Sequence, residues 1–236
     1  MAIATYKDLC IDAVDTALLG RFWAAALDLE LELLEDGDVK LTGPTNALTV
    51  WVNAVPEPVT VKQRVHLDIR AESPADIEAL GATVVDRDSF PWVVMKDPEG
   101  GELCVFGVRP ETRRGLMEVN FDAGPDAGPI AAWWGNVLGV EAKDHEHGYS
   151  YLRDVPNMPY ESLIFGPVPE PKTGKNRIHL DFTTPDTQLL LDAGATLLRS
   201  PDDEISWHVL ADPDGNEFCA FTAAATGAAT SASAGA

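Results

Sequence analysis

The chain has 236 residues, 45% of them apolar, with 38 acidic against 17 basic side chains and a formal net charge of −21 at pH 7. That balance excludes nucleic acid as a partner, because phosphate backbones need Lys/Arg neutralisation; an acidic surface keeps a protein soluble and can draw in cationic small molecules. No run of 18 apolar residues offers a membrane span, and three cysteines without a secretory signal read as reduced thiols of a cytoplasmic protein.

In chain order, YKDLCIDAV alternates like a strand, and Asp15 stands as the cap of a helix in TALLGRFWAAALDL. Its apolar stripe is Leu18, Leu19, Phe22, Trp23, Ala26 and Leu27. LELLE and VKLTG flank Asp36-Gly37, a hairpin signal, and ALTVWVNAV is a further strand. RVHLDIR follows, then Ser73-Pro74 opening a short helix that stops at Gly81, then strands in TVVDRD, FPWVVMKD and GELCVFGV. The polar linker VRPETRRG marks a boundary. Beyond it the order recurs: GLMEVNFDA, a helix started by Asp126, YSYLRD, YESLIFG, RIHLDF, a helix at Thr184-Pro185, ATLLRS, ISWHVLAD and NEFCAF. Residues 224–236, rich in Ala, Ser, Thr and Gly, read as a disordered tail.

The recurrence is literal. KQRVHLDIR returns as KNRIHLDFT, VPEP returns as VPEP, and WVVMKDPEGGELCVF returns as WHVLADPDGNEFCAF. Such self-similarity points to a duplicated unit, here 1–108 and 115–223, each reading β-α-β-β-β twice with one cavity expected per unit. Strand parity sorts the faces. Val65, Leu67 and Ile69 point at a core, while His66 and Asp68 share the opposite face; Ile178, Leu180 and Phe182 oppose His179 and Asp181. Glu102, Cys104 and Phe106 share a face, as do Glu217, Cys219 and Phe221. A wet sheet face would explain the polar residues, but Phe and Cys beside them suit a lined cavity better. The tryptophans of the helices, Trp23, Trp133 and Trp134, are expected in the core, and the cysteines to act as small hydrophobes.

These residues resemble the vicinal oxygen chelate superfamily, which includes glyoxalase I and bleomycin-resistance proteins. R-[VI]-H-L-D followed by DP[ED]G-x-E-[LF]-C looks like its glyoxalase-like domains. The resemblance implies an α+β fold of four βαβββ modules in two domains, with sheets curled around cavities for a small-molecule ligand. It implies a divalent metal (zinc, nickel, iron or manganese) on inward-facing positions of first and last strands. Carried over, these are His66, Glu102 and Asp8 in the first unit and His179, Glu217 and Glu118 in the second, with fourth positions at Asn53 and Gly166. Gly166 offers no ligand atom, which marks the second unit as the one to lose metal. With a metal polarising a carbonyl or vicinal oxygens, Asp68 or Asp181 would move the proton, as in a lyase, isomerase or oxygenase. The alternative is a non-catalytic protein that sequesters a cationic antibiotic. Either a monomer or a homodimer is compatible.

Overall fold

The computed structural model describes residues 2–222; the expected tail at 224–236 lies outside them. The first module is β1 (Thr5–Ala13), α1 (Thr16–Leu27), β2 (Glu30–Leu33), β3 (Val39–Thr42) and β4 (Thr49–Ala54). The second is β5 (Val65–Ala71), α2 (Pro74–Ala79), β6 (Thr83–Asp86), β7 (Val93–Lys96) and β8 (Glu102–Gly107). The third is β9 (Gly115–Ala123), α3 (Gly128–Leu138), β10 (Lys143–Asp144), β11 (Ser150–Arg153) and β12 (Ser162–Pro167). The fourth is β13 (Ile178–Thr184), α4 (Thr187–Asp192), β14 (Thr196–Arg199), β15 (His208–Ala211) and β16 (Glu217–Thr222). The expected four βαβββ modules and the α+β class are therefore present.

The modules do not pair as the sequence halves suggest. One 8-stranded sheet runs β14-β15-β16-β13-β1-β4-β3-β2, joining the fourth module to the first. The other runs β10-β11-β12-β9-β5-β8-β7-β6, joining the third to the second. The seams are antiparallel: β1 lies on β13 with Cys10 opposite His179, and β5 lies on β9 with His66 opposite Asn120. Each sheet thus contains strands from both repeats, and one cavity per sequence unit is ruled out. All four opening strands carry the same alternation, so pattern alone assigns no partner.

Local chemistry sets the ends of the elements. Asp15 caps α1, accepting from Leu18 N at 2.9 Å. Ser73 and Asp76 form a capping box at α2, with Pro74 in the first turn. At α3 the expected cap is displaced: Ala127 is the cap residue, and Asp126 Oδ1 accepts from Gly128 N from one position earlier. At α4 the cap is Asp186, which accepts from Gln188 N, so this helix starts after Thr184-Pro185. The helices bury one stripe each. Phe22, Trp23, Ala26 and Leu27 of α1, and Ile130, Trp134, Val137 and Leu138 of α3, join Val65, Leu67, Ile69 and Phe182 in a single hydrophobic cluster. No helix among the described residues is long and apolar enough to cross a membrane.

Candidate functional sites

Side chains alternate across β5 and β13, so burying their apolar face turns His-x-Asp to the other side of each sheet. That side is not an open wet face. Asp68 and Asp181 have side chains only 6% and 7% exposed, and their histidines are largely covered. The curled sheets enclose two cavities, of about 520 Å³ and 610 Å³, within the range of small-molecule sites.

The first cavity is walled by the second and third modules. His66, Asp68, Glu102 and Cys104 come from β5 and β8, and Glu118, Asn120 and Asp122 from β9. The second is walled by the fourth and first modules, with His179, Asp181, Cys219, Cys10, Trp51 and Asn53. This corrects the carried-over ligand sets. Glu118 faces His66 and Glu102, because β9 and not β1 is the neighbour of β5. Asp8 lies opposite Asp181, because β1 is the neighbour of β13. Gly166 accordingly opens the cavity of His66, and Asn53 that of His179, so the weak fourth position does not single out the second unit.

Within the first cavity His66 Nε2 stands 3.4 Å from Asp68 Oδ1. Burial opposes the charge on His66, but the adjacent Asp68 carboxylate and Cys104 hold its pKa well above the ordinary histidine value. Burial pushes the Cys104 thiol up, against the pull of His66. Burial also raises Glu118; its partner Ser162 Oγ, which donates to it, works the other way. In the second cavity His179 Nε2 is 3.7 Å from Asp181 Oδ1. Burial raises Asp181, opposed by His179 and Lys7, and also raises Cys10 and Cys219 well above the thiol range. Asp8 accepts from Trp51 Nε1 at 3.1 Å and pairs with Lys7. Glu217 is not among the residues lining this cavity; it accepts from Lys172 Nζ at 2.7 Å and from Asn176 N at 3.1 Å.

Two groups place three metal-donor atoms within 4.8 Å of one another: His66, Asp68 and Cys104, and Cys10, His179 and Asp181. Glu102, Glu118, Asp8 and Glu217 stand outside these groups. One nitrogen, one sulfur and one carboxylate oxygen suit a tetrahedral zinc-type ion. Asp68 Oδ1 and Asp181 Oδ1 are buried without a hydrogen-bond partner among the described residues, as such an ion would require. The donor set therefore fits a metal, through cysteines that parity had placed on these faces as packing groups.

Aromatic rings from the strands next to the His-x-Asp strands line both cavities. Phe90 stacks on Trp92 at 5.0 Å and Trp92 on Phe106 at 5.1 Å. Trp207 stacks on Phe221 at 5.3 Å, and Lys7 Nζ lies over the Phe221 ring at 4.5 Å. Strand parity had placed Phe106 and Phe221 on these faces. Tyr149, absent from the sequence-based candidates, walls the first cavity and stacks on His145. The DHEHGY turn gave no periodic signal that would have found it. Four carboxylates in the first cavity face one lysine and one histidine.

Comparison with known proteins agrees with this architecture. A model of the family described as "Glyoxalase-like domain" matches residues 8–106 and 118–221. Glyoxalase I from Zea mays superposes with a TM-score of 0.67 at 14% identity, covering 96% of this chain and 95% of that one. A point mutant of the same maize protein gives 0.66 at 13% identity, covering 96% and 95%. At these identities the likeness is one of fold. No curated protein matches the chain. With both repeats matched by the family model and both sheets built from βαβββ modules, the chain belongs to the glyoxalase-like domain family, in two tandem copies.

Proposed function

We propose that each cavity binds a small planar organic molecule carrying positive charge. The carrying observation is the repeated stack of Trp92 on Phe106 and Trp207 on Phe221, on the strand beside a repeated buried His-x-Asp pair and lining the same cavity. Aromatic faces attract cations, more strongly when desolvated, and the surrounding carboxylates favour the same sign. A planar aromatic cation such as an acridinium dye tests this against an anionic dye of equal size, read by tryptophan quenching. Saturable quenching by the cation, partly lost in Trp92→Ala and again in Trp207→Ala, is expected. Preference for the anion, or insensitivity to both substitutions, refutes the proposal.

A second reading rests on the two three-donor groups. His66, Asp68 and Cys104, or His179, Asp181 and Cys10, would hold a divalent transition metal. Such a metal supplies Lewis-acid polarisation of a bound carbonyl or pair of oxygens. Around it the chain orients the substrate on the aromatic wall. Glu118, raised by burial and opposite Asp68 in the strand register, is then the group placed to move a proton, with Asp68 and Asp181 serving as ligands. Elemental analysis after purification without chelators separates the readings: metal that is lost in both His66→Ala and His179→Ala supports the enzyme, and metal-free protein supports the binder.

A further inference from the structure

The duplication allows the two ends of the seam between the sheets to be compared group by group. At one end Arg177 is buried, its side chain 7% exposed. Its Nη2 donates to Glu99 Oε2 at 3.0 Å and its Nη1 to the Glu57 carbonyl at 2.5 Å. The Glu99 carboxylate also accepts from Val14 N at 2.9 Å and Asp15 N at 2.6 Å. Only about 10 Å³ of space remains beside this clamp.

At the other end Arg64 takes the place of Arg177. The backbone match is direct: Asp122 N donates to Arg64 O, as Asp12 N donates to Arg177 O. Arg64 is equally covered, its side chain 7% exposed. In DPDG, however, the residue matching Glu99 is Asp214, one methylene shorter, and it reaches only Gly124 N, at 3.1 Å. The counterpart of Asp15 is Pro125, which has no N–H to offer. Arg64 Nη1 has no hydrogen-bond partner among the described residues. The nearest carboxylate oxygen is Asp122 Oδ2 at 3.8 Å, and Lys62 also takes it. In front of Arg64 lies a cleft of about 490 Å³, where Lys172 stands in place of Val59.

We propose that the Arg64 cleft binds a small carboxylate anion, which occupies the place that the Glu99 side chain fills at Arg177. A guanidinium cannot shed its charge, and buried it needs a partner. Its planar fork matches a carboxylate with two parallel bonds. The cleft has room for the body of a small organic acid, and Pro169 and Pro171 line it. Asp214 and Glu170 also border it, but both are exposed, so their repulsion is screened by solvent and salt, while the largely covered Asp122 carboxylate is offset by its pair with Lys62. The cleft shares only Asp122 with the first cavity and is a separate site.

The test is calorimetric titration of the full chain with acetate and with malonate, against chloride at matched ionic strength. Saturable one-to-one carboxylate binding that chloride does not reproduce is expected. Asp214→Glu should restore the internal clamp, leave the melting temperature unchanged or higher, and weaken carboxylate binding at least tenfold. Arg64→Gln should abolish it. If Asp214→Glu, still folded, binds carboxylate as tightly as the original chain, or if chloride gives the same heat and stoichiometry, the proposal is overturned.

Discussion

Truncating Glu99→Ala opens the clamp at Arg177 and leaves a guanidinium buried without its carboxylate. Both side chains of that pair are largely covered, at 7% and 11% exposure. Removing one partner of a buried pair costs about 3–5 kcal/mol. The freed Val14 and Asp15 N–H groups are exposed and can turn to water, so they add little. The duplicated position provides an internal control. Asp214→Ala removes one exposed bond, to Gly124 N, worth roughly 0.5–1.5 kcal/mol. For a chain of this size about 1 kcal/mol moves the melting temperature by ~2–4 °C. Glu99→Ala should therefore melt about 10 °C lower and Asp214→Ala about 3 °C lower, in buffer free of carboxylates. Urea unfolding followed by tryptophan fluorescence gives the same comparison as free energies. Equal losses in the two variants would refute the reasoning, because they would mean that the duplicated turns are equivalent and that Arg177 draws nothing from Glu99.

In metal-free protein, His66 should stay protonated above the ordinary histidine value of 6.5, and Asp68→Asn should lower its titration midpoint in an NMR series. A histidine whose folded pKa is raised contributes stability fully below the unfolded pKa and loses it as pH rises through the folded value. The stability gap between the original chain and His66→Gln should accordingly shrink from pH 6.5 upward; a widening gap contradicts the assignment. Gly135 lies in α3 where a Cβ would stand 2.8 Å from the Val140 carbonyl and 3.3 Å from Ala142 N. Backbone cannot yield as the Val39 side chain can at Gly20, so Gly135→Ala should lose about 1–3 kcal/mol in a calorimetric scan despite alanine's better helix propensity.

The halves of this chain speak through alternation. RVHLDIR and RIHLDFT place three apolar side chains on one face and His-x-Asp on the other, because a strand has a period of two residues. The βαβββ order, the buried tryptophans of α1 and α3, and the inward aspects of His66, Asp68, Cys104 and Phe106 all follow from that period and from the helical one. Caps were less legible: Asp126 sits one residue early, since its bond to Gly128 N satisfies the same donor from outside the first turn.

Which strands meet is another matter. The opening strands of all four modules present similar apolar stripes, and hydrogen-bonded ladders take any partner of matching face. Only the tertiary arrangement, with β5 beside β9 and β1 beside β13, brings Glu118 to His66 and Asp8 to Asp181. The same holds for Arg64 and Arg177, which the repeat makes look alike. One methylene in Glu99 and one N–H in Asp15 separate them, and those differences acquire meaning only where the second module's turn reaches the first module's strand end. The sequence by itself thus determined the duplicated modules and the faces of their strands, through local periodicity. The partners across each seam, and with them the composition of both cavities, were decided by contacts between modules distant in the chain, which no local pattern encodes.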